Sequence, residues 1–139
     1  MDELFTKKVF RAKVHTETDG SLGVLEFSDA PFRPERFFWL CAIDPIATRA
    51  SHAHRTCHQL LMCLAGEMTA TITSPLGSKL DFRLAIGDIL HLEPMMWLDL
   101  TNFSPEGVLG VMASEPYDTS EYINDFEELR QLGQATKKS

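Results

Sequence analysis

Positive charge is in short supply. Lys and Arg total 13 against 20 Asp and Glu, a formal net charge of -7, which disfavours a counterion-release grip on nucleic acid or attachment to an anionic membrane surface. A local basic pocket for one phosphorylated small molecule stays open to such a chain. No stretch of about 18 apolar residues occurs, and Met1 to Lys8 hold no apolar signal core, so membrane spanning and secretion are not expected. Cysteine is scarce too. Cys41, Cys57 and Cys63 are odd in number, lack CxxC spacing and sit in apolar runs, which reads as reduced, buried thiols of a cytoplasmic protein. At 139 residues the chain has no room for a second domain of ordinary size, and it carries no internal repeat or low-complexity segment.

What is present is enough for a core. Hydrophobic residues make up 44% and charged residues 24%, a balance that folds at this size without metal or disulfide staples. Gly, Pro and Asp punctuate the chain at short intervals, as at Asp19-Gly20, Asp44-Pro45, Ser74-Pro75-Leu76-Gly77 and Gly87-Asp88. Between them lie β-branched and aromatic runs: Leu22 to Phe27, Arg36 to Ile43, Leu60 to Leu64, Glu67 to Thr73, Leu80 to Leu84, Ile89 to Leu92, Trp97 to Thr101 and Val108 to Ser114. Alternation is cleanest over Glu67 to Thr73, where Met68, Ala70 and Ile72 share one face. Short, evenly spaced strands predict an all-β fold, one small antiparallel β-barrel or jelly roll. The tail changes period: Tyr122, Ile123, Phe126 and Leu129 fall at helical spacing, with Asp118, Thr119 or Ser120 as candidate caps. This predicts an amphipathic helix over about 120–132, ending near Gly133 with Lys137-Lys138-Ser139 frayed. The expected organisation is one domain over 1–139, with the barrel at about 20–115 and the helix packed outside it.

The densest polar cluster is Arg49-Ala50-Ser51-His52-Ala53-His54-Arg55-Thr56-Cys57-His58-Gln59, which holds three of the five histidines. On an extended strand His52 and His54 point the same way, about 6.6–7 Å apart, and on the inner face of a barrel they enter the lumen together. Two imidazoles so placed suit two jobs. With a third ligand such as His58 they could hold a divalent metal. Without metal they could act as base and acid near neutral pH. Both outweigh a purely structural role, because Arg49 and Arg55 flank the pair and such a cluster is costly unless something binds there. His58 reads as outward-facing, His15 and His91 as structural or exposed, and Met62, Met95 and Met96 as packing.

His52-Ala53-His54, four residues, Gln59, six residues and Gly66 resemble the first motif of the cupin barrels, with Gln59 in the place of the carboxylate ligand. In the segment Gly87 to Trp97, Trp97 stands where the second motif has its last histidine. Over about Asp19 to Glu128 the chain further resembles one cupin family, the WxcM-like sugar 3,4-ketoisomerases of dTDP-linked 4-keto-6-deoxyglucose. The residues that carry this are Gly20, Leu22, Pro31-Phe32, Arg36, Arg49, His52-Ala53-His54-Arg55, Gln59, Gly66, Pro94, Trp97, Ala113-Ser114-Glu115, Tyr117-Asp118 and Tyr122-Ile123.

That resemblance implies a metal-free, cofactor-free cytoplasmic homodimer that moves a carbonyl from C4 to C3 of the hexose in deoxysugar or O-antigen synthesis. It implies His52 as the base that shuttles the proton through an enediol, and His54 as its partner. Arg49, Arg55, Gln59, Trp97 and Arg36 become the expected substrate contacts, arginine's planar fork suiting phosphate. The chain departs from the family at three places: Phe37-Phe38-Trp39 where tyrosines are usual, Thr18-Asp19-Gly20 for Asp-Arg-Gly, and Leu98-Asp99 for a polar pair. These departures leave open a related isomerase or epimerase of another sugar, a non-catalytic nucleotide-sugar-binding module, or a metal enzyme built on His52, His54 and His58.

Overall fold

Met68, Ala70 and Ile72 are buried and Glu67 is exposed, because successive side chains of a strand point to opposite faces and one face here meets a second sheet. The computed structural model describes residues 9–138. In chain order the strands are β1 (Val9–Arg11), β2 (Lys13–Glu17), β3 (Gly20–Val24), β4 (Arg36–Cys41), β5 (Arg49–His54), β6 (Gln59–Ala65), β7 (Glu67–Thr73), β8 (Lys79–Ala85), β9 (Asp88–Leu92), β10 (Trp97–Thr101), β11 (Val108–Ala113) and β12 (Tyr122–Ile123), followed by helix α1 (Phe126–Lys138). One sheet has the order β1-β9-β6-β11-β4 and the other β12-β5-β10-β7-β8. The pairing is antiparallel in both, and β2 and β3 form a separate hairpin. This is the expected all-β cupin-type jelly roll with a C-terminal helix.

The main core fills the space between the sheets with Leu61 and Cys63 of β6, Leu90 and Leu92 of β9, Leu98 and Leu100 of β10, and Leu109 and Val111 of β11. Each fully buried Leu or Val contributes about 1.5–3 kcal/mol relative to an exposed one. A second cluster on the outside joins Ala53 of β5 to Ile123 and to Leu129 of α1. A third, of Leu60, Met62 and Ile89, is covered by Phe10 and Phe32 from the N-terminal region.

Several boundaries differ from the sequence expectation. The barrel begins with β1, which pairs with β9, rather than near residue 20. The β2–β3 hairpin is almost wholly exposed, so it lacks the apolar alternation that marks a strand, and Phe27–Asp29 is a 3-10 turn. The helix starts at Phe126, not near Ser120. Asp118 caps the 3-10 turn Thr119–Glu121 instead, and Tyr122–Ile123 is drawn into the sheet beside β5. Asp125 opens the helix by accepting the Glu127 N–H at 3.0 Å, satisfying one donor of the first turn. The helix runs through Gly133 and includes Lys137 and Lys138; Ser139 lies outside the described residues. Cys41 is exposed, unlike Cys57 and Cys63, because it lies on the outer face of the edge strand β4.

Candidate active site

Strand β5 carries the histidines to the barrel mouth through an irregularity. Leu98 of β10 is opposite His52, but Asp99 is opposite Ala50, so Ser51 is an extra residue in β5. Ala50 and Ser51 adopt the left-handed conformation, with φ of 69° and 57°, a β-bulge of the kind that re-aims a neighbouring side chain. Ser51 donates its hydroxyl to one oxygen of Asp99 at 2.7 Å, and Trp97 donates its indole N–H to the other at 3.1 Å.

Beyond the bulge, His52 and His54 meet edge to face with ring centroids 5.1 Å apart. Tyr122, paired with His54 across β12 and β5, brings its ring 4.8 Å from His52 and 4.7 Å from His54. His52 Nδ1 lies 3.1 Å from the Ala50 carbonyl oxygen. A carbonyl only accepts, so Nδ1 carries the hydrogen of the neutral ring and Nε2 keeps its lone pair. Burial holds His52 below the ordinary histidine pKa, against the Ala50 carbonyl and the Asp99 charge, which push it up. His54 is pushed down to about 4, chiefly by burial and then by His52. Both rings are therefore neutral near pH 7.

A cleft of about 280 Å³ opens beside them. Its polar lining comes from Arg49, His52, Gln59 and Tyr122, and its apolar walls include Phe38, Trp39 and Leu98. The Arg36 guanidinium sits over the Phe38 ring at 4.9 Å and the Tyr117 ring at 5.5 Å. Among the described residues, Arg36 Nε and both ring nitrogens of His54 are buried without a hydrogen-bond partner. Buried polar atoms left unpaired call for a ligand, a water or a functional reason.

Not every expected site residue joins this group. Arg55 turns away from the cleft, donating to the Ser120 carbonyl at 3.1 Å and to Glu128 of α1 at 2.8 Å. Trp97 lies on the outer face of β10, edge-on to Phe126 of α1 at 5.6 Å, while Leu98 points inward. His58 is on the outer side of the first sheet, its Nδ1 3.0 Å from His91 Nε2 and both rings against Phe32. A His52–His54–His58 metal set is therefore not assembled. Among the described residues, no three His, Cys, Asp or Glu side chains converge as metal ligands.

Three contributors went unassigned in the sequence: Tyr117, Tyr122 and Glu121. The first two belong to the segments matched to the ketoisomerase family, which was the available signal. Glu121 accepts the backbone N–H of Thr56 and of Cys57, the latter at 2.6 Å, and so fixes the corner after His54. Burial raises its carboxyl pKa, but these donors outweigh that and hold it below the usual range.

The geometry has counterparts of known kind. The family model for FdtA, described as WxcM-like, C-terminal, matches residues 6–134. A TDP-4-oxo-6-deoxy-alpha-D-glucose-3,4-oxoisomerase of Aneurinibacillus thermoaerophilus is 27% identical over 135 residues, 88% of this chain and 89% of its own. A histidine-to-asparagine mutant of the 3,4-ketoisomerase QdtA from Thermoanaerobacterium thermosaccharolyticum, solved with TDP-4-keto-6-deoxyglucose, is similar at TM-score 0.87 and 26% identity, covering 94% of this chain and 97% of that one. The WlaRB TDP-quinovose 3,4-ketoisomerase of Campylobacter jejuni gives 0.82 and 27%, covering 89% and 96%. With the family match spanning nearly its whole length, the chain belongs to the FdtA, WxcM-like C-terminal family.

Proposed function

We propose that this protein is a nucleotide-sugar 3,4-ketoisomerase that moves the carbonyl of a dTDP-4-keto-6-deoxyhexose from C4 to C3. One observation carries the reading: His52 Nδ1 is committed to the Ala50 carbonyl, so its basic Nε2 is left to the cleft that His52 lines. The activity of the similar proteins supports the same reaction.

The C4 carbonyl acidifies the C3–H, and His52 Nε2 takes that proton while the C3–H electrons form the C3=C4 bond of an enediol and O4 gains a proton. In the second half O3 gives up its proton, the carbonyl re-forms at C3, and His52 returns its proton to C4. Tyr122, which lines the cleft and edges the His52 ring, carries the hydroxyl proton between O3 and O4, while His54, with its ring nitrogens buried, packs against both rings as the partner of His52. The Gln59 amide, in the lining of the cleft, offers N–H donors to the oxygen that develops charge, and the Arg36 guanidinium stands over the Phe38 ring of the cleft wall. Arg49, at the same cleft, takes the diphosphate. Arg55 and Trp97 serve as supports for α1 rather than as substrate contacts.

We infer a homodimer and a cytoplasmic place in deoxysugar or O-antigen synthesis, to which the free thiols are suited. The dimer surface is the outer side of the sheet at its β4 edge, where Phe37 and Trp39 of β4 and Leu64 of β6 are 47%, 61% and 50% exposed. The bare backbone of Gly110 lets Phe37 and Leu64 lie flat over β11, since a Cβ there would come 2.9 Å from Leu64 and 3.1 Å from the Phe37 ring. A continuous apolar patch results, of the sort that marks an interface.

Incubation with dTDP-4-keto-6-deoxyglucose in deuterated buffer, followed by NMR at C3 and C4, tests the reaction. Solvent exchange with formation of the 3-keto isomer is expected. Saturable binding without exchange would instead make the protein a binding module.

A further inference from the structure

The His52 base depends on the Ala50 carbonyl, yet the backbone that presents this carbonyl is strained. Two successive residues with a Cβ hold left-handed backbone directly before the base, and such conformations persist only where their surroundings over-determine them. The determinant lies on the far side of the strand from the cleft. Asp99 accepts the Ser51 hydroxyl with one oxygen and the Trp97 indole N–H with the other, so the carboxylate is itself oriented before it orients anything. Trp97 is in turn braced edge-on by Phe126 of α1. The register shift between β10 and β5 falls between Leu98 and Asp99, and the Ala50 carbonyl it displaces is the one that meets His52 Nδ1 at 3.1 Å.

We propose that Asp99 is a positioning residue for His52: by holding Ser51 in the bulge it keeps the Ala50 carbonyl beneath Nδ1, and so keeps Nε2 as the open lone pair of the ring. The proposal rests on the ketoisomerase reading for its catalytic meaning, though the geometry stands apart from it. Asp99 also acts through its charge, which raises the proton affinity of His52 against the effect of burial. The other ionisable groups around His52 are His54 on its own strand, Tyr122 on β12, Arg49 at the cleft and, next to His54, Arg36 of β4 and Glu121. Asp99 is thus the carboxylate on β10 aimed at the bulge itself.

Three variants separate anchoring from charge. Asp99→Asn offers one acceptor where two donors need one, and removes the charge. Ser51→Ala removes only the anchor. Ser51→Gly removes the anchor but accepts left-handed backbone at no steric cost. In Asp99→Asn, kcat falls roughly tenfold to a hundredfold with KM nearly unchanged, and the acid limb of kcat/KM moves to lower pH. Ser51→Ala loses kcat without moving that limb, and Ser51→Gly recovers most of the loss. Ring 15N shifts of His52 read the tautomer independently of turnover: the wild type holds the hydrogen on Nδ1, and Asp99→Asn and Ser51→Ala mix the two forms. Wild-type kcat, acid limb and tautomer in Asp99→Asn and Ser51→Ala would overturn the proposal. If the wild type does not isomerise the sugar but its tautomer responds to these substitutions, the ketoisomerase reading falls and the positioning role of Asp99 stands. Should Asp99→Asn fail to fold, the Ser51→Ala and Ser51→Gly pair decides by the same tautomer and kcat measurements.

Discussion

His54 has both ring nitrogens buried and unpartnered, whereas His52, two residues earlier, has one nitrogen tied to a backbone carbonyl and the other left to a cleft. Identical side chains on one face of one strand thus differ in what they can do, because the bulge before His52 supplies an acceptor that His54 lacks. Replacing His52 by Asn should abolish turnover and leave the dissociation constant for dTDP within about threefold of wild type, measured by calorimetry, if the diphosphate contact is the one proposed for Arg49; retained turnover would remove His52 as the base. The pH dependence follows from the lowered pKa of His52. Its base form survives as pH falls through 6.5, so kcat/KM should hold there and decline only at lower pH; an acid limb at or above 6.5 would contradict this. His54 has a consequence for stability as well. Its pKa is about 4 in the fold and 6.5 as an ordinary histidine, so between those values the unfolded chain binds more protons and stability drops as pH falls. The loss by pH 4 is up to about 3 kcal/mol, and urea unfolding of His54→Asn at pH 7 and pH 4.5 should show a shallower decline than wild type.

At the level of elements, α1 determines how the outer face of β5 and β10 is held. Leu129 is fully buried against Ala53 and Ile123, and the Arg55–Glu128 ion pair ties the first turns of the helix to the end of β5. Gly133 contributes by its smallness, not as a helix terminator: a Cβ there would lie 2.4 Å from Pro75 Cβ in the turn after β7. In an isolated helix Gly133→Ala would gain about 1 kcal/mol in propensity. Here the overlap with a rigid proline should outweigh that gain, costing about 1–3 kcal/mol net and lowering the urea midpoint, whereas alanine at exposed Gln134 should change it by less than about 0.5 kcal/mol. A raised midpoint for Gly133→Ala would mean that the helix end does not sit against Pro75.

For the whole molecule, the apolar patch of Phe37, Trp39 and Leu64 and the cleft adjoin, since Trp39 belongs to both. Sedimentation of the wild type should therefore give twice the chain mass, and Phe37→Asp, which places a charge at the patch, should give a monomer with its fold intact by circular dichroism. A monomeric wild type would refute the dimer. The negative total charge also acquires a location. The acidic residues Glu127 and Glu128 lie on the exposed side of α1, and one cation expected at the site, Arg55, is spent on Glu128. Arg49 and Arg36 remain as the cations near the histidines.

The linear sequence by itself determined the period of core strands such as β7, the His-x-His pair on a common face, and the resemblance whose fold and family hold, but not the exposed β2–β3 hairpin or the short β12. Periodicity of two requires Trp97 and Leu98 to face opposite ways, but it does not say which is inside, because parity is set by the register with the neighbouring strand. Only the tertiary structure decided that Leu98 lines the cleft and Trp97 braces α1, through a bulge at Ala50 and Ser51 that alternation cannot signal. It likewise brought Tyr122 onto the two imidazoles from about 70 residues further along the chain, supplying a phenol at a site where β4 offers Phe38. Local sequence sets which way side chains alternate, and long-range pairing sets where each face points.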